Sequence, residues 1–289
     1  MSSEWGIVMA FLLFFIAPLL VGLWMGIDRV ITARMQNRVG PPIIQSFFDV
    51  LKLLGKQQKF LNSSQISFAL LCLLFQALAL AILVSGGDLL VVFFLSGAGS
   101  LFLALGAFSV RSPFSHLGAQ RELLQIFAYE PVLLMAIVSI GYSQRTLLAG
   151  EMDHALLGYL PLSLAALVAV LVIKLQKSPY DISHAHTELI SGPQIEYSGP
   201  YLAILSVAQW FEVAVVLGIM SLFFYDANLG VSIVGKIVLL LVALFVCIVI
   251  DNASARLTRA RMVRFTLSFG LALIALNLLW VYLLPGAHL

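Results

Sequence analysis

The sequence predicts an all-α protein that crosses a membrane about eight times, and three observations carry that expectation. Charged residues fill only 10% of the 289 positions, against a hydrophobic share of 61%, where a soluble domain carries roughly 25% charge. Continuous apolar runs of span length recur along the chain, without the short alternating segments that a transmembrane barrel needs. Positive charges gather in alternate loops. Together these features exclude a soluble globule, a disordered chain and a disulfide-rich secreted domain. A formal net charge of +2 supplies no basic field to attract nucleic acid. A single integral membrane domain over residues 1–289 is expected.

A hydrocarbon core of about 30 Å takes about 20 helical residues. Eight runs meet that length: Gly6 to Met25, Ile66 to Val84, Leu89 to Phe108, Leu123 to Tyr142, Leu156 to Ile173, Tyr201 to Tyr225, Ile233 to Ile250 and Phe265 to Leu284. The opening MSSEWGIVMA lacks the positive start of a secretory signal, so the first run reads as a retained span. Loops after the first, third, fifth and seventh runs hold Arg29, Arg34, Arg38, Lys52, Lys56, Lys59, Arg111, Arg121, Lys174, Lys177, Arg256, Arg259, Arg261 and Arg264. The opposite loops hold Arg145, with Lys236 near the start of the seventh run. Fourteen against one places the basic loops in the cytoplasm and both termini on the outer side of the cell membrane. No internal repeat is visible.

The first cytoplasmic loop has a helical pattern of its own. After Pro41 and Pro42, Ile43, Ile44, Phe47, Phe48, Leu51 and Leu54 fall on one side, and Gln45, Asp49, Lys52 and Lys56 on the other. Pro42 suits a first helical turn. An amphipathic helix in the membrane interface is expected, either plain or with a docking or cavity-lining role. Gly22 and Gly26 form a small-xxx-small pair in the first span, which close helix packing explains. Cys72 and Cys247 lie far apart inside apolar runs and read as small buried hydrophobes.

The loop between the fifth and sixth runs, KLQKSPYDISHAHTELISGPQIEYSGP, is the most polar stretch. Helical from Pro179, it would set Asp181, His184 and Glu188 on one face, with His186 elsewhere and Glu196 beyond a Gly-Pro break. Three readings stay open: a metal site from His184, His186 and Glu188, a solvated loop, and a proton-handling cluster. Within the spans, Glu130 lies about a third of the way along the fourth and Glu212 near the middle of the sixth. A charge at the bilayer centre costs about 3 kcal/mol on insertion scales, so each marks a functional candidate by default. Glu122 precedes Glu130 by about 12 Å on the same helix side, a spacing suited to stepping protons inward. The competing reading of Glu130 is a hydrogen bond to a neighbouring helix.

These residues carry a resemblance. RVGPPIIQSFFDVLKLLGKQ, from Arg38, resembles the first cytoplasmic loop of the H-type membrane subunit of respiratory complex I and related hydrogenases. SPYDISHAHTELISGPQIEYSG is similar to that family's loop between spans five and six. YEP at Tyr129 to Pro131 resembles its fourth-span opening. SPFSHLGAQRE and DNASARLTRAR look closer to the membrane subunit of energy-converting nickel–iron hydrogenases. His184 and His186 stand where complex I members usually carry glutamates, which puts quinone binding in doubt.

The resemblance implies an anchor and coupling subunit that holds no redox centre and binds no metal or cofactor itself. Its implied partners are nickel–iron hydrogenase large and small subunits, an iron–sulfur ferredoxin-like subunit and an antiporter-like membrane subunit. The nickel–iron centre and iron–sulfur clusters would reside in those partners. Docking would use Arg29, Arg34, Arg38, Lys52, Lys56, Arg111, Arg121, Arg256 and Arg259, and charge would pass through Glu122, Glu130, Asp181, His184, His186, Glu188, Glu196 and Glu212. The rivals are a quinone-reducing complex of the same family, a stand-alone secondary transporter and a passive anchor. Against the transporter, no Gly/Pro-broken spans fall in matching halves.

Overall fold

The computed structural model describes residues 3–58 and 62–283, apart from the side chains of 3–7, 186 and 187. The chain is a bundle of long helices: α1 (Ser3–Met35), α3 (Ser63–Val84), α4 (Leu89–Phe108), α5 (Pro113–Gln144), α8 (Pro200–Ser221), α9 (Leu229–Ala253) and α10 (Arg259–Leu283). These seven are long and apolar enough to span a bilayer. Shorter helices are α2 (Gln45–Leu54), α6 (Pro161–Lys174) and α7 (His186–Leu189). Their ends follow local chemistry. Asn62, Asp88 and Asn228 cap α3, α4 and α9 by accepting the N–H of the residue two positions on. Pro113, Pro161 and Pro200 occupy first turns, where a missing N–H costs nothing.

The fifth expected span is the one that differs. Leu156 to Ile173 does not form one continuous helix: α6 has 14 residues, about 21 Å. Pro161 sets its start, and before it the chain makes a turn in which Leu156 and Leu160 are buried and Leu157 and Gly158 are exposed, the Tyr159 and Leu160 N–H groups returning to the Leu156 carbonyl. Leu156 and Leu157 donate their N–H groups to the Phe223 carbonyl at 3.2 and 2.9 Å. Asn277 Oδ1 on α10 accepts from the N–H groups of Leu162 and Ser163 at 2.7 and 2.9 Å. Non-helical backbone within a membrane protein survives only where neighbours satisfy it in this way. Counting the shorter apolar helix α6 with the seven long ones gives eight, the even number that returns the chain to its starting side.

The amphipathic helix is present as α2; Gly26 receives the turn that leads into it, and Gly22 receives both Phe47 of α2 and Trp210 of α8. A Cβ on Gly26 would stand 1.7 Å from the Ile43 carbonyl oxygen, and one on Gly22 2.9 Å from the Phe47 ring. Phe47 in turn meets Trp210 of α8 edge-on, ring centres 5.2 Å apart. Phe48, Leu51 and Leu54 stay exposed, the face an interfacial helix turns to lipid.

The segment 176–199, here the strap, is not helical from Pro179; only α7 and a short turn at Gly192–Gln194 are regular. Three of its first carbonyls are taken by other elements. Gln125 donates to Tyr180 O, Arg121 to Ile182 O at 3.1 Å, and the Leu257 N–H to Pro179 O at 3.0 Å. The strap therefore lies across α5 instead of coiling on itself. Gly118 and Gly192 permit the approach: a Cβ on Gly118 would fall 2.4 Å from the Gly192 carbonyl carbon.

Candidate functional site: a buried lysine among carboxylates

Because α6 is short and the strap covers its end, Lys174 is buried, 5% exposed, rather than in a basic loop. Its Nζ pairs with Glu212 of α8, donates to Tyr129 OH of α5 at 2.6 Å and to Ser100 Oγ of α4 at 3.1 Å. Ser100 Oγ donates to Glu212 Oε1 at 2.6 Å. One ammonium thus ties four helices together, and Glu212 is held from two sides. Glu122, Lys174, Tyr129, Gln194, Gln209 and Glu212 share a cavity of about 20 Å³ whose other walls include Leu103, Ile173 and Leu205, enough for about one water.

Glu122 and Glu130 are placed differently from Glu212. Glu122 lies under the strap, where Ser183 reaches its carboxyl, and its Oε2 is buried without a partner. Glu130 points at α4, where Gly97 leaves room for it: a Cβ there would stand 2.6 Å from Glu130 Oε1. That oxygen too is buried and unpartnered. The helix-to-helix hydrogen bond that competed for Glu130 is not made by this oxygen.

The strap's own candidates spread over three neighbourhoods. His184 is buried, its Nδ1 3.0 Å from Ser183 Oγ, which donates to Gln125 Oε1 at 2.5 Å. Asp181 pairs with Arg256 at 2.7 Å, and Glu188 with Arg121 at 2.7 Å. The hydrogen bond and charge of Arg121 hold the Glu188 carboxyl below its usual range. The His186 side chain lies outside the described residues, and Glu196 is half-buried beyond the Gly192 turn. Among the described residues, no three His, Cys, Asp or Glu side chains gather as metal ligands.

Several of the basic residues are already paired within the chain: Arg121 and Arg256 with carboxylates of the strap, and Arg29 at the surface with Asp49 of α2 at 3.0 Å. Burial opposes ionisation of Asp49, but hydrogen bonds from Gln45 and Arg29 outweigh it and keep its carboxyl low. A further ionic knot was missed from sequence. Lys177 bridges Asp28 of α1 at 2.6 Å and Asp251 of α9 at 3.2 Å, and the Ser178 N–H adds a bond to Asp251. Only three-dimensional proximity joins residues so far apart; the local signal was a charge at each span's cytoplasmic end.

Comparison with known proteins follows the same outline. The family model described as NADH dehydrogenase matches residues 7–282. Formate hydrogenlyase subunit 4 of Escherichia coli is 31% identical, covering 95% of this chain and 98% of that protein. Hydrogenase-4 component C of Escherichia coli is 29% identical over 93% of each. The H-type subunit of NADH-quinone oxidoreductase from Anoxybacillus flavithermus is 26% identical over 63% of this chain and 62% of its own length. A chain of the membrane-bound sulfane sulfur reductase, an archaeal respiratory membrane complex, superposes with a TM-score of 0.83 at 26% identity, over 95% of this chain and 98% of that one.

Proposed function

We propose that this chain, which belongs to the NADH dehydrogenase family, is the membrane anchor and coupling subunit of an energy-converting nickel–iron hydrogenase. The observation that carries the reading is coverage. Two hydrogenase-complex proteins match over 93% or more of this chain and of themselves at 31% and 29% identity, whereas the Anoxybacillus NADH-quinone oxidoreductase relative matches over less than two thirds of each and the equally covered sulfane sulfur reductase chain is 26% identical. As a multi-pass membrane protein with relatives named as subunits or components, the chain works beside partners. Hydrogenase large and small subunits and an iron–sulfur protein dock on the cytoplasmic face, through Arg34, Arg38, Lys52, Lys56 and Arg111. An antiporter-like subunit lies beside it in the membrane. The nickel–iron and iron–sulfur groups belong to those partners.

The cluster supplies the coupling. Lys174 and Glu212 form a fixed pair at its centre. Glu122 and Glu130, each with an unpartnered buried oxygen, are the groups free to take and pass protons. His184, Asp181 and Glu188 set the strap through which redox chemistry in the docked subunits reaches Glu122. Moving a charge against 100 mV takes about 2.3 kcal/mol, which a modest redox drop supplies. Whether H+ or Na+ leaves by the antiporter-like subunit is outside this chain's chemistry.

A second reading, a quinone-reducing complex, is favoured by the NADH-quinone oxidoreductase relatives. Purifying the native complex from membranes separates the two. Nickel in a co-purifying large subunit with hydrogen turnover is expected. Quinone or sulfane-sulfur reduction without hydrogen turnover would replace the reading, and a lone monomer would make the chain a transporter. Within the complex, Glu130→Gln is expected to leave assembly intact while lowering hydrogen turnover linked to pumping. Unchanged pumping and turnover would make Glu130 structural.

A further inference from the structure

The start of α10 presents an electrostatic problem. Arg259, Arg261 and Arg264 lie within its first two turns, and all three are exposed. Among the described residues no carboxylate lies within 4 Å of any of them: Arg256 takes Asp181 and approaches Glu188, and Glu188 reaches Arg259 only at longer range, as the weakest of its cationic neighbours. Like charges so close repel one another, and they sit at the helix end where the dipole is positive. An anion from outside the chain resolves both costs.

The adjoining surface says what else that anion must carry. Arg259 and Arg264 flank a groove of about 470 Å³ between α5 and α10, whose other walls are Leu124, Ala260 and Val263. Arg259, Ala260, Val263 and Arg264 fall at i, i+1, i+4 and i+5, so one helix face offers two charges and an apolar wall. Arg261 points away from that face. Phe265 and Phe269 stack with centres 5.1 Å apart on the Arg261 side of α10, away from the groove. Below the groove, Leu267 and Leu271 follow Val263 at helical spacing and continue its apolar lane. Leu124 and Phe265 are among the first residues of their apolar spans, so the arginines stand in the cytoplasmic headgroup layer with the groove running into the hydrocarbon. An acidic peptide would match the arginines but not the carbon-walled groove beneath them. The occupant needs both an anionic head and a hydrocarbon tail.

We propose that the groove between α5 and α10 is a site for an anionic phospholipid of the cytoplasmic leaflet, its phosphate held by Arg259 and Arg264 and an acyl chain lying on Leu124, Ala260 and Val263. The site is separate from the Lys174 cluster and does not depend on what the docked partners reduce.

The test uses the native complex in nanodiscs of phosphatidylcholine, with or without phosphatidylglycerol. Phosphatidylglycerol is expected to raise Tm by about 4–8 °C, from two arginine contacts. Inorganic phosphate in phosphatidylcholine discs is expected to give no such rise. The Arg259→Gln/Arg264→Gln double variant should lose the shift while keeping its Tm in phosphatidylcholine alone, and Arg261→Gln should retain it. Phosphatidylglycerol bound after detergent extraction should fall in the double variant only. No phosphatidylglycerol dependence, an equal shift in the double variant, or a full shift with inorganic phosphate overturns the proposal. So does loss of partner subunits from the double variant with its lipid response unchanged, which would assign the arginines to an acidic protein segment.

Discussion

Lys174 and Glu212, 38 residues apart in sequence, meet as a buried ion pair with both side chains largely shielded from solvent. Their attraction in a low-dielectric interior offsets the cost of burying each charge only while both are present. Lys174→Met or Glu212→Gln alone should therefore destabilise the protein by about 3–5 kcal/mol. The double variant should recover most of that loss, because no charge is left stranded. Thermal unfolding of the purified complex measures all three, and purely additive losses would show that the pair is not a unit.

That pair also marks where sequence reading stopped. The spans, α2 and the membrane-depth carboxylates Glu130 and Glu212 were legible because hydropathy and rarity of charge are local signals. Lys174 sits at the end of an apolar run and reads as a loop charge; Pro161 is the local sign that α6 starts late, but nothing local reveals that the strap closes over its end. The strap was misread for a related reason. A helical face through Asp181, His184 and Glu188 fits the spacing, but the carbonyls that helix requires are claimed by Gln125, Arg121 and Leu257, all distant in sequence. Periodicity reports which faces an element would have, and tertiary hydrogen bonds decide whether the element forms.

Gly97 provides a test of how Glu130 is seated. Replacing glycine by alanine inside a helix ordinarily gains up to about 1 kcal/mol. At Gly97 the new Cβ would press within 2.6 Å of Glu130 Oε1 and must push the carboxyl out of its place between α4 and α5. Gly97→Ala should therefore assemble normally and yet show the Glu130→Gln phenotype, lowered hydrogen turnover linked to pumping. Wild-type coupling in Gly97→Ala would mean that the position of this carboxyl does not matter.

Acid should loosen the strap at a pH that Arg121 sets. The folded-state carboxyl of Glu188 is held below its ordinary value of 4.5, chiefly by the Arg121 hydrogen bond. A depressed folded value means that the tie is fully present above the ordinary value and is lost as pH falls through the lowered one. A spin label at Ser191→Cys reads this directly, because Cys72 and Cys247 are buried and do not compete for the label. Mobility should rise only below the ordinary carboxylate range. In Arg121→Gln the label should already be mobile at neutral pH.

Gly118 separates the strap's seat from its charges. The strap backbone passes so close to α5 that a Cβ on Gly118 would meet the Gly192 carbonyl carbon and Pro193 N at 2.4 and 2.5 Å. Backbone cannot swing aside as a long side chain does, so Gly118→Ala must lift the segment as a whole. The label at Ser191→Cys should then be mobile at every pH, with the Arg121–Glu188 charges still present. If coupling depends on the strap closing over Glu122, this variant loses pumping while hydrogen turnover in the docked subunits continues. A label as immobile as in the wild type, or full pumping from a lifted strap, would show that the cover over the cluster is packing alone.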